Sequence, residues 1–572
     1  GYSVFITSND LVPVQPREFA IVNDSNLELI ANTANIFAPE QTFFFEIDTT
    51  EYFNTSFKKV HETVGSGGVL KWQPNIDYQD NQVYYWRVSP DSTNAEVGYR
   101  WLNSSFVFID DHADGWNQSH FFQYKRGKLN NKTLEEPSRK WKYIEDFKEL
   151  IVYNKVMTGG GDNRPHIYLN NDDKFHWSPT IKAGVFVAVM DSLTVDTWVD
   201  PQGQNLYGDD GWGIECFPFL TSDVSQREEV IEFLENTIPS GNYILFMTFT
   251  KPNFTYVPEE WAMDSVNNSL GLNIFQILEE QGAKLPRELV NEPVPYAFFY
   301  KKDDPTFEPV ELITDMDGLI NQTIPVSGFW DSGRFTSTTI GPVSRWNSFE
   351  FQLSDLQDYE DAYFQIWGLN PGLGVEVLLK DQIIEAQTDL SDIVPEVYTH
   401  LKIVYQSEDE TDRTPPQLDY WRVLYDDLPE AALNPMAHFQ MEKDTFQQGE
   451  TLNLQIAVEN IGKYDMDSLL MNYKIINTQN GEIVVEDRLQ PLLKDENIIA
   501  TLNYNTRSIS GFHTLIIDSN PNDDQPELTH QNNIGIVNFF VDNDKRNPLL
   551  DVTFDGIHIM EGDIVSPKTE IE

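Results

Sequence analysis

One cysteine, ten histidines and a large excess of carboxylates bound the chemistry available to this chain. Cys216, in "GIECFPF", is the sole thiol. A cysteine nucleophile needs a base within hydrogen-bond reach and a depressed pKa. His166 and His176 lie upstream, and the sequence alone does not place either of them beside Cys216. A lone cysteine beside Phe217 and Phe219 has the pattern of a small buried apolar residue. No catalytic residue is therefore expected in this chain. The carboxylates point instead to cation binding. Asp110, Asp111 and Asp114 in "IDDHADG" and Asp315 and Asp317 in "TDMDG" gather oxygen donors of the kind calcium takes. Asp209 and Asp210 in "GDDGWG" and Asp523 and Asp524 in "NPNDDQ" form similar clusters. None completes an EF-hand loop, and aspartate favours turns for its own sake, because its side chain bonds nearby backbone N–H groups. Calcium is the one cofactor these clusters suggest. Paired carboxylates could serve a glycosidase, but among 91 acidic residues pairs arise by chance. Trp330, Trp346 and Trp367 are candidates for stacking on sugar rings, with a place in the core as the alternative.

The 39 basic residues face those 91 acidic ones, for a net charge of -52. That balance argues against nucleic acid, whose phosphates call for a basic face, and against an anionic membrane surface. No apolar run is long enough to span a membrane as a helix, so no membrane insertion is expected. A single cysteine forbids an internal disulfide, which fits both cytosolic proteins and secreted bacterial proteins built on large β cores. The chain opens inside a strand-like stretch, "GYSVFITS", and is expected to be an internal piece of a longer polypeptide.

The elements that position these residues read mainly as β, in line with the 13% aromatic content. "VYYWRVSPDS" and "LDYWRVLYDD" share Tyr-Trp-Arg-Val. In a strand, alternation puts Trp86 with Val88 and Trp421 with Val423 on one face, and Tyr85 with Arg87 and Tyr420 with Arg422 on the other. Each Trp then anchors a sandwich core, at roughly 2–3 kcal/mol of burial, while each Arg runs its stem over the outer face with its head in water. Residues 1–112 read as a fibronectin III-like β-sandwich. Residues 117–180 plus 305–433 are expected to pair as one discontinuous jelly-roll-like β-sandwich. Between them, 181–303 reads as an inserted α/β domain. There "GVFVAVMD" is a strand buried on both faces, "SQREEVIEFLENT" is a helix opening on a Ser225/Glu228 capping box, and "NIFQILEEQG" is a second helix stopped by Gly282. Residues 436–544 read as an immunoglobulin-like sandwich after a linker at 427–435, and 545–572 as the start of a further β domain.

Several segments carry resemblances. "GVFVAVMD", the helix ending in Ile238-Pro239-Ser240-Gly241, "NYILFMTF" and "VPYAFFYKK" together resemble the ILEI-type domain, which is also found in protein O-mannose N-acetylglucosaminyltransferases. "LQIAVENIG", with Val458, Asn460 and Gly462, and "IDSNPNDDQPELTHQNN" are similar to CARDB-type adhesion modules. "GWNQSHFFQ", "GPVSRWNSFEF", "DETDRTPPQLDYWRVLYDDLPEAALNP" and "NPLLDVTFDGIHIMEGDIVSPK" resemble the long C25-family (gingipain-like) cell-surface proteins of Bacteroidota, relatives of the type IX secretion sortase PorU. That resemblance implies an extracellular, cell-surface location and a cysteine-peptidase domain elsewhere in the parent chain. It also implies partners among outer-membrane or type IX secretion components. It further suggests O-linked sugars on Asp-Ser-apolar triplets, here Ser192 and Ser468. The leading expectation is a non-catalytic scaffold or adhesion region that presents or binds glycan or protein partners. The alternatives are an accessory region of a C25-like peptidase or sortase-type transpeptidase, and a set of carbohydrate-binding modules.

Overall fold

The computed structural model describes residues 11–92, 98–157, 165–174, 183–199, 207–208, 215–251, 255–358, 361–543 and 551–571. The molecule is mainly β. Its organising element is a nine-stranded sheet in the order Gln387–Asp389, Arg345–Ser354, Gln417–Asp426, Gly115–Gln118, Ala20–Val22, Leu102–Phe108, Gln82–Pro90, Gln41–Asp48 and Lys59–Gly65. The first four strands belong to the jelly-roll-like sandwich, and the last five to the amino-terminal sandwich. They are joined where Ala20–Val22 pairs parallel with Leu102–Phe108 and antiparallel with Gly115–Gln118. Gly115 permits this seam, because a Cβ there would sit 2.7 Å from the Val423 carbonyl oxygen of the neighbouring strand.

In the amino-terminal sandwich, a sheet of Leu11–Gln15, Leu29–Thr33 and Val69–Trp72 closes over Phe43, Phe45, Ile47, Trp86, Val88 and Phe106. In the jelly-roll-like sandwich, five strands (Lys128–Asn130, Ser332–Thr336, His400–Glu408, Asp361–Asn370 and Val375–Ile383) close over Trp116, Trp346, Trp421 and Phe364. Strand Gln82–Pro90 feeds both interiors: Tyr84, Trp86 and Val88 enter the first, Val83 and Tyr85 the second. Neither arginine of the repeated tetrapeptide holds its head in open water, contrary to the reading from alternation alone. Arg87 pairs with Glu46, and Arg422 is buried on Asn117, because the outer face of each strand is covered in turn.

The segments 117–180 and 305–433 pair directly. Glu145–Asn154 runs antiparallel to Ile320–Phe329 over ten residue pairs, and Lys128–Asn130 to Ser332–Thr336. They divide between two bodies, however. The sheet Asp172–Asp173, His166–Leu169, Glu145–Asn154, Ile320–Phe329 packs on the inserted unit rather than on the jelly roll. The inserted unit is thus a three-layer stack. Its central sheet is antiparallel throughout, in the order Phe217–Phe219, Gly184–Met190, Tyr243–Phe249, Tyr296–Lys301 and Val310–Ile313. Val185, Val187 and Val189 meet the helical layer, and Phe186, Ala188 and Met190 meet the smaller sheet. Both faces are covered, so every residue of that strand is buried. The helix Val224–Glu232 starts two residues earlier than the capping-box reading: Asp223, not Ser225, is its cap and accepts from Ser225 N–H. Helix Ile274–Glu280 opens on a reciprocal Asn273–Gln276 box, and Gly282 follows it at φ +99°.

The carboxy-terminal module is a sandwich of two sheets. One holds Ala431–Leu433, Phe439–Met441, Thr451–Asn460 and Asn497–Asn505. The other orders Thr445–Gln447, Ile534–Asp542, Gly511–Ser519, Met466–Asn477 and Glu482–Leu492. Among the described residues of 551–571 there are isolated bridges, Phe554 with Ile557 and with Ile571, in place of the expected strand pair. Ile557, Met560 and Ile564 remain exposed there, and a lone hairpin without a partner layer has little to hold it.

Candidate functional site

The sequence candidates separate once placed in the fold. Cys216 is fully buried in the apolar layer between the central sheet and the smaller sheet of the inserted unit, among residues such as Phe186 and Leu220. His166 Nδ1 lies 3.1 Å from Asp173 Oδ2, and His176 lies outside the described residues. Trp346 is wholly buried, its indole N–H donating to the Tyr398 carbonyl at 3.2 Å, so it is a core residue and no sugar platform. Trp367 is half-buried, with its N–H on Gln365 Oε1 at 3.3 Å, and Trp330 is 37% exposed.

Among the described residues, the aspartates that stand close together in the sequence do not by themselves converge into a group of ligands. Asp114 is engaged by the Lys463 ammonium and by the Tyr464 hydroxyl, across to the carboxy-terminal module. Asp110 and Asp111 are exposed; Asp110 N–H donates to Asp80 Oδ1 and Asp111 takes φ +52°. Asp315 and Asp317 are exposed on a turn closed by Gly318 N–H donating to the Asp315 carbonyl. Asp209 and Asp210 lie outside the described residues. Ser192 is half-buried beside an Asp191 carboxylate that accepts from Leu193 and Thr194 N–H. Ser468 is half-buried within strand Met466–Asn477, its carbonyl accepting from Arg488.

What the fold does bring together is a junction of three modules. A cleft of about 250 Å³ is lined by Val14 and Arg17 of the amino-terminal sandwich, Trp116, Ile340 and Tyr425 of the jelly roll, and Thr529 of the carboxy-terminal module. Arg17 donates to Asp427 Oδ1 at 2.8 Å and to the Pro342 carbonyl at 2.9 Å, with its guanidinium 5.7 Å from the Tyr425 ring centre. The Trp116 indole N–H is buried without a hydrogen-bond partner. Elsewhere between the amino-terminal and carboxy-terminal modules, Lys71 pairs with Glu459 at 2.7 Å, the tilted rings of Phe37 and Phe439 lie 4.8 Å apart, and Val14, Ile30 and Val69 share an apolar cluster with Ala432 and Ile461.

The linker itself is a clamp. Glu430 is fully buried, and its carboxylate accepts from Leu528 N–H at 2.7 Å, Thr529 N–H at 3.1 Å and Asn532 Nδ2 at 2.6 Å. Burial, and then the charge of Glu527, push its carboxyl up to about 8. Neither Arg17 nor Glu430 stood out in the sequence. A glutamate set between apolar residues in "DLPEAALNP" is the one signal that could have marked the second. Lys132 was also missed. It is buried, its ammonium has no hydrogen-bond partner and sits 3.8 Å from the Tyr405 ring centre, and burial holds its pKa well below the usual lysine range.

No family model matches the chain, and no curated relative does. Among solved structures, the CARDB domain of the PF1109 protein from Pyrococcus furiosus, in complex with di-metal ions, is 18% identical. That likeness covers 20% of this chain and 89% of that one, with a TM-score of 0.16. A β-glucosidase from Listeria innocua in complex with glucose is 11% identical over 20% of this chain and 16% of its own, also at 0.16. The alkylpurine DNA glycosylase AlkC of Pseudomonas fluorescens is 14% identical over 20% of this chain and 31% of its own, at 0.15. These partial likenesses lend no weight to any activity.

Proposed function

We propose that this chain is a non-catalytic scaffold region of a secreted bacterial cell-surface protein, which holds neighbouring segments and partners at a fixed geometry. The observation that carries the reading is the continuous nine-stranded sheet through two sandwiches, with a third sandwich locked on by Arg17–Asp427, Lys463–Asp114 and the buried Glu430. Hydrophobic and ionic contacts between modules on this scale suit a rigid spacer, and loops on a stable frame suit binding. The surface location, the type IX route and outer-membrane partners rest on the resemblance given above. A glycan partner would meet Trp330 or Trp367, and calcium would meet the exposed Asp110, Asp111, Asp315 or Asp317. A peptidase or sortase-type transpeptidase role would belong to a domain outside these residues.

The test is physical first. Small-angle scattering of the full chain is expected to give one rigid particle, and a glutamyl endopeptidase is expected to spare the Glu430–Ala431 bond of the linker at 427–435. Rapid cleavage there, or a flexible-chain scattering profile, would sink the scaffold reading. Labelling of intact cells with an impermeant reagent checks the location. Thiol-dependent proteolysis by this chain that disappears in Cys216→Ser would replace the reading with an enzymatic one.

A further inference from the structure

Among the described residues, one group of metal-ligating side chains converges: Asp523, Glu527 and His530, whose donor atoms lie within 4.8 Å of one another. They occupy the loop between strands Gly511–Ser519 and Ile534–Asp542, at the end of the carboxy-terminal module that meets the linker. His530 Nδ1 stands 3.7 Å from Asp523 Oδ1 and 3.5 Å from Glu527 Oε1. With metal–ligand bonds of about 2.0–2.2 Å, adjacent ligands of a tetrahedral ion stand about 3.3–3.6 Å apart, so these separations match with a small adjustment of the exposed Asp523. On the far side of the ring, His530 Nε2 lies 3.0 Å from Asp518 Oδ1. A carboxylate there fixes the tautomer that leaves the Nδ1 lone pair facing the ion, the usual outer partner of a metal-bound histidine.

A second feature points to the same place. Asn533 is wholly buried, and its amide lies against both Glu527 Oε1 and, at 3.4 Å, His530 Nδ1, while its Oδ1 has no partner. Turned about its terminal bond, that amide would present the orphaned oxygen to an ion held by the other two side chains.

We propose that Asp523, Glu527 and His530 form a site for a first-row divalent ion of the zinc class, with Asp518 orienting the histidine and Asn533 beside the open position. Imidazole nitrogen with two carboxylates suits zinc, whereas calcium and magnesium take all-oxygen shells. The ion would be structural. Glu527 Oε2 accepts from Ala431 N–H at 3.3 Å, and the next residues, Leu528 and Thr529, hold Glu430, so the site braces the loop that grips the linker. The competing account is an ionic network in which His530 is an imidazolium among carboxylates.

Titration of the full chain with Zn²⁺ by calorimetry, under excess Mg²⁺ to occupy the diffuse negative surface, decides between them. One saturating equivalent is expected. Asp523→Asn, an exposed side chain whose loss leaves the fold intact, should weaken it at least tenfold, as should His530→Gln. The adjacent Asp524→Asn, whose carboxylate pairs with Arg488, should leave it unchanged. Co²⁺ in place of Zn²⁺ should give visible absorption that vanishes in Asp523→Asn. No saturating equivalent, wild-type affinity in either ligand variant, or displacement of Zn²⁺ by equimolar Ca²⁺ would each overturn the site.

Discussion

Tyr85-Trp86-Arg87-Val88 and Tyr420-Trp421-Arg422-Val423 are the same four residues in strands of one sheet, yet their surroundings differ at every polar atom. Trp86 lies parallel to Phe45, 6.4 Å away, with its indole N–H unpartnered. Trp421 stacks on Phe335 at 4.7 Å and donates to Gln118 Oε1 at 3.0 Å. Arg87 is ion-paired, its Nη2 2.6 Å from Glu46 Oε2, and lies over the Phe53 and Trp101 rings. Arg422 meets neutral acceptors, Asn117 Oδ1 at 2.9 Å and Asn81 Oδ1 at 3.2 Å. Tyr85 is buried against His120, whereas Tyr420 is half-exposed under the Arg422 guanidinium. Alternation along a strand is a local property, and both copies obey it. What each side chain touches is supplied by strands from elsewhere in the chain.

The largest expected effect on this comparison comes from the tryptophans. Truncating either to Ala should cost about 3–5 kcal/mol. Trp421→Ala should cost more than Trp86→Ala, by about 1 kcal/mol, because only the former strands a buried amide oxygen on Gln118. Urea denaturation of both variants checks this, and a larger loss in Trp86→Ala would refute it. The arginines should separate by salt rather than by size. Arg87→Met removes one of two cations from Glu46, the other being Lys58, and should cost about 1–2 kcal/mol at low salt and less in about 0.5 M NaCl. The loss in Arg422→Met should be less sensitive to salt, since its hydrogen-bond acceptors carry no charge and the carboxylates of Glu350 and Asp80 act on it without an ion-pair contact. A salt-independent difference between the two would erase the distinction.

The smallest effect runs the other way. The core around Trp421 contains Lys132, a buried amine without a hydrogen-bond partner, and nothing similar is found among the described residues around Trp86. Its pKa is depressed by burial in the folded state. Between the folded and unfolded values the unfolded chain binds the extra proton, so wild-type stability rises with pH across that window. Lys132→Met should therefore raise Tm by about 2–4 °C at neutral pH, and the gain should shrink as the pH approaches that of ordinary lysine. A lower Tm would mean that the ammonium over Tyr405 is a net stabiliser.

The sheet-buried strands were legible because an all-apolar run such as Gly184–Met190 has few other uses, and the helix after it because its apolar spacing and polar start are local signals. The cap shifted from Ser225 to Asp223 because both can fill that role and only backbone geometry chooses. Trp346 could not be told from an exposed ring, since a tryptophan in an alternating strand fits either face. Asp114 looked like a calcium ligand until Lys463 arrived from another module. Arg17 and Asp427, 410 residues apart, gave no joint signal at all. In the proposed metal site, Asp523 stood out in the sequence, whereas its partners did not, because ligands are recognised by convergence rather than by order.

Residue pattern alone settled that this chain would be built of strands, which faces of them would be apolar, and where one helical layer would be laid in. Backbone sterics and side-chain hydrophobicity act over a few residues and need no distant partner. Tertiary structure decided that two sandwiches would share one sheet, that the linker would be gripped rather than loose, and which charges would meet. Those outcomes depend on desolvation and pairing between groups far apart in the chain, energies that exist only once the strands have been brought side by side.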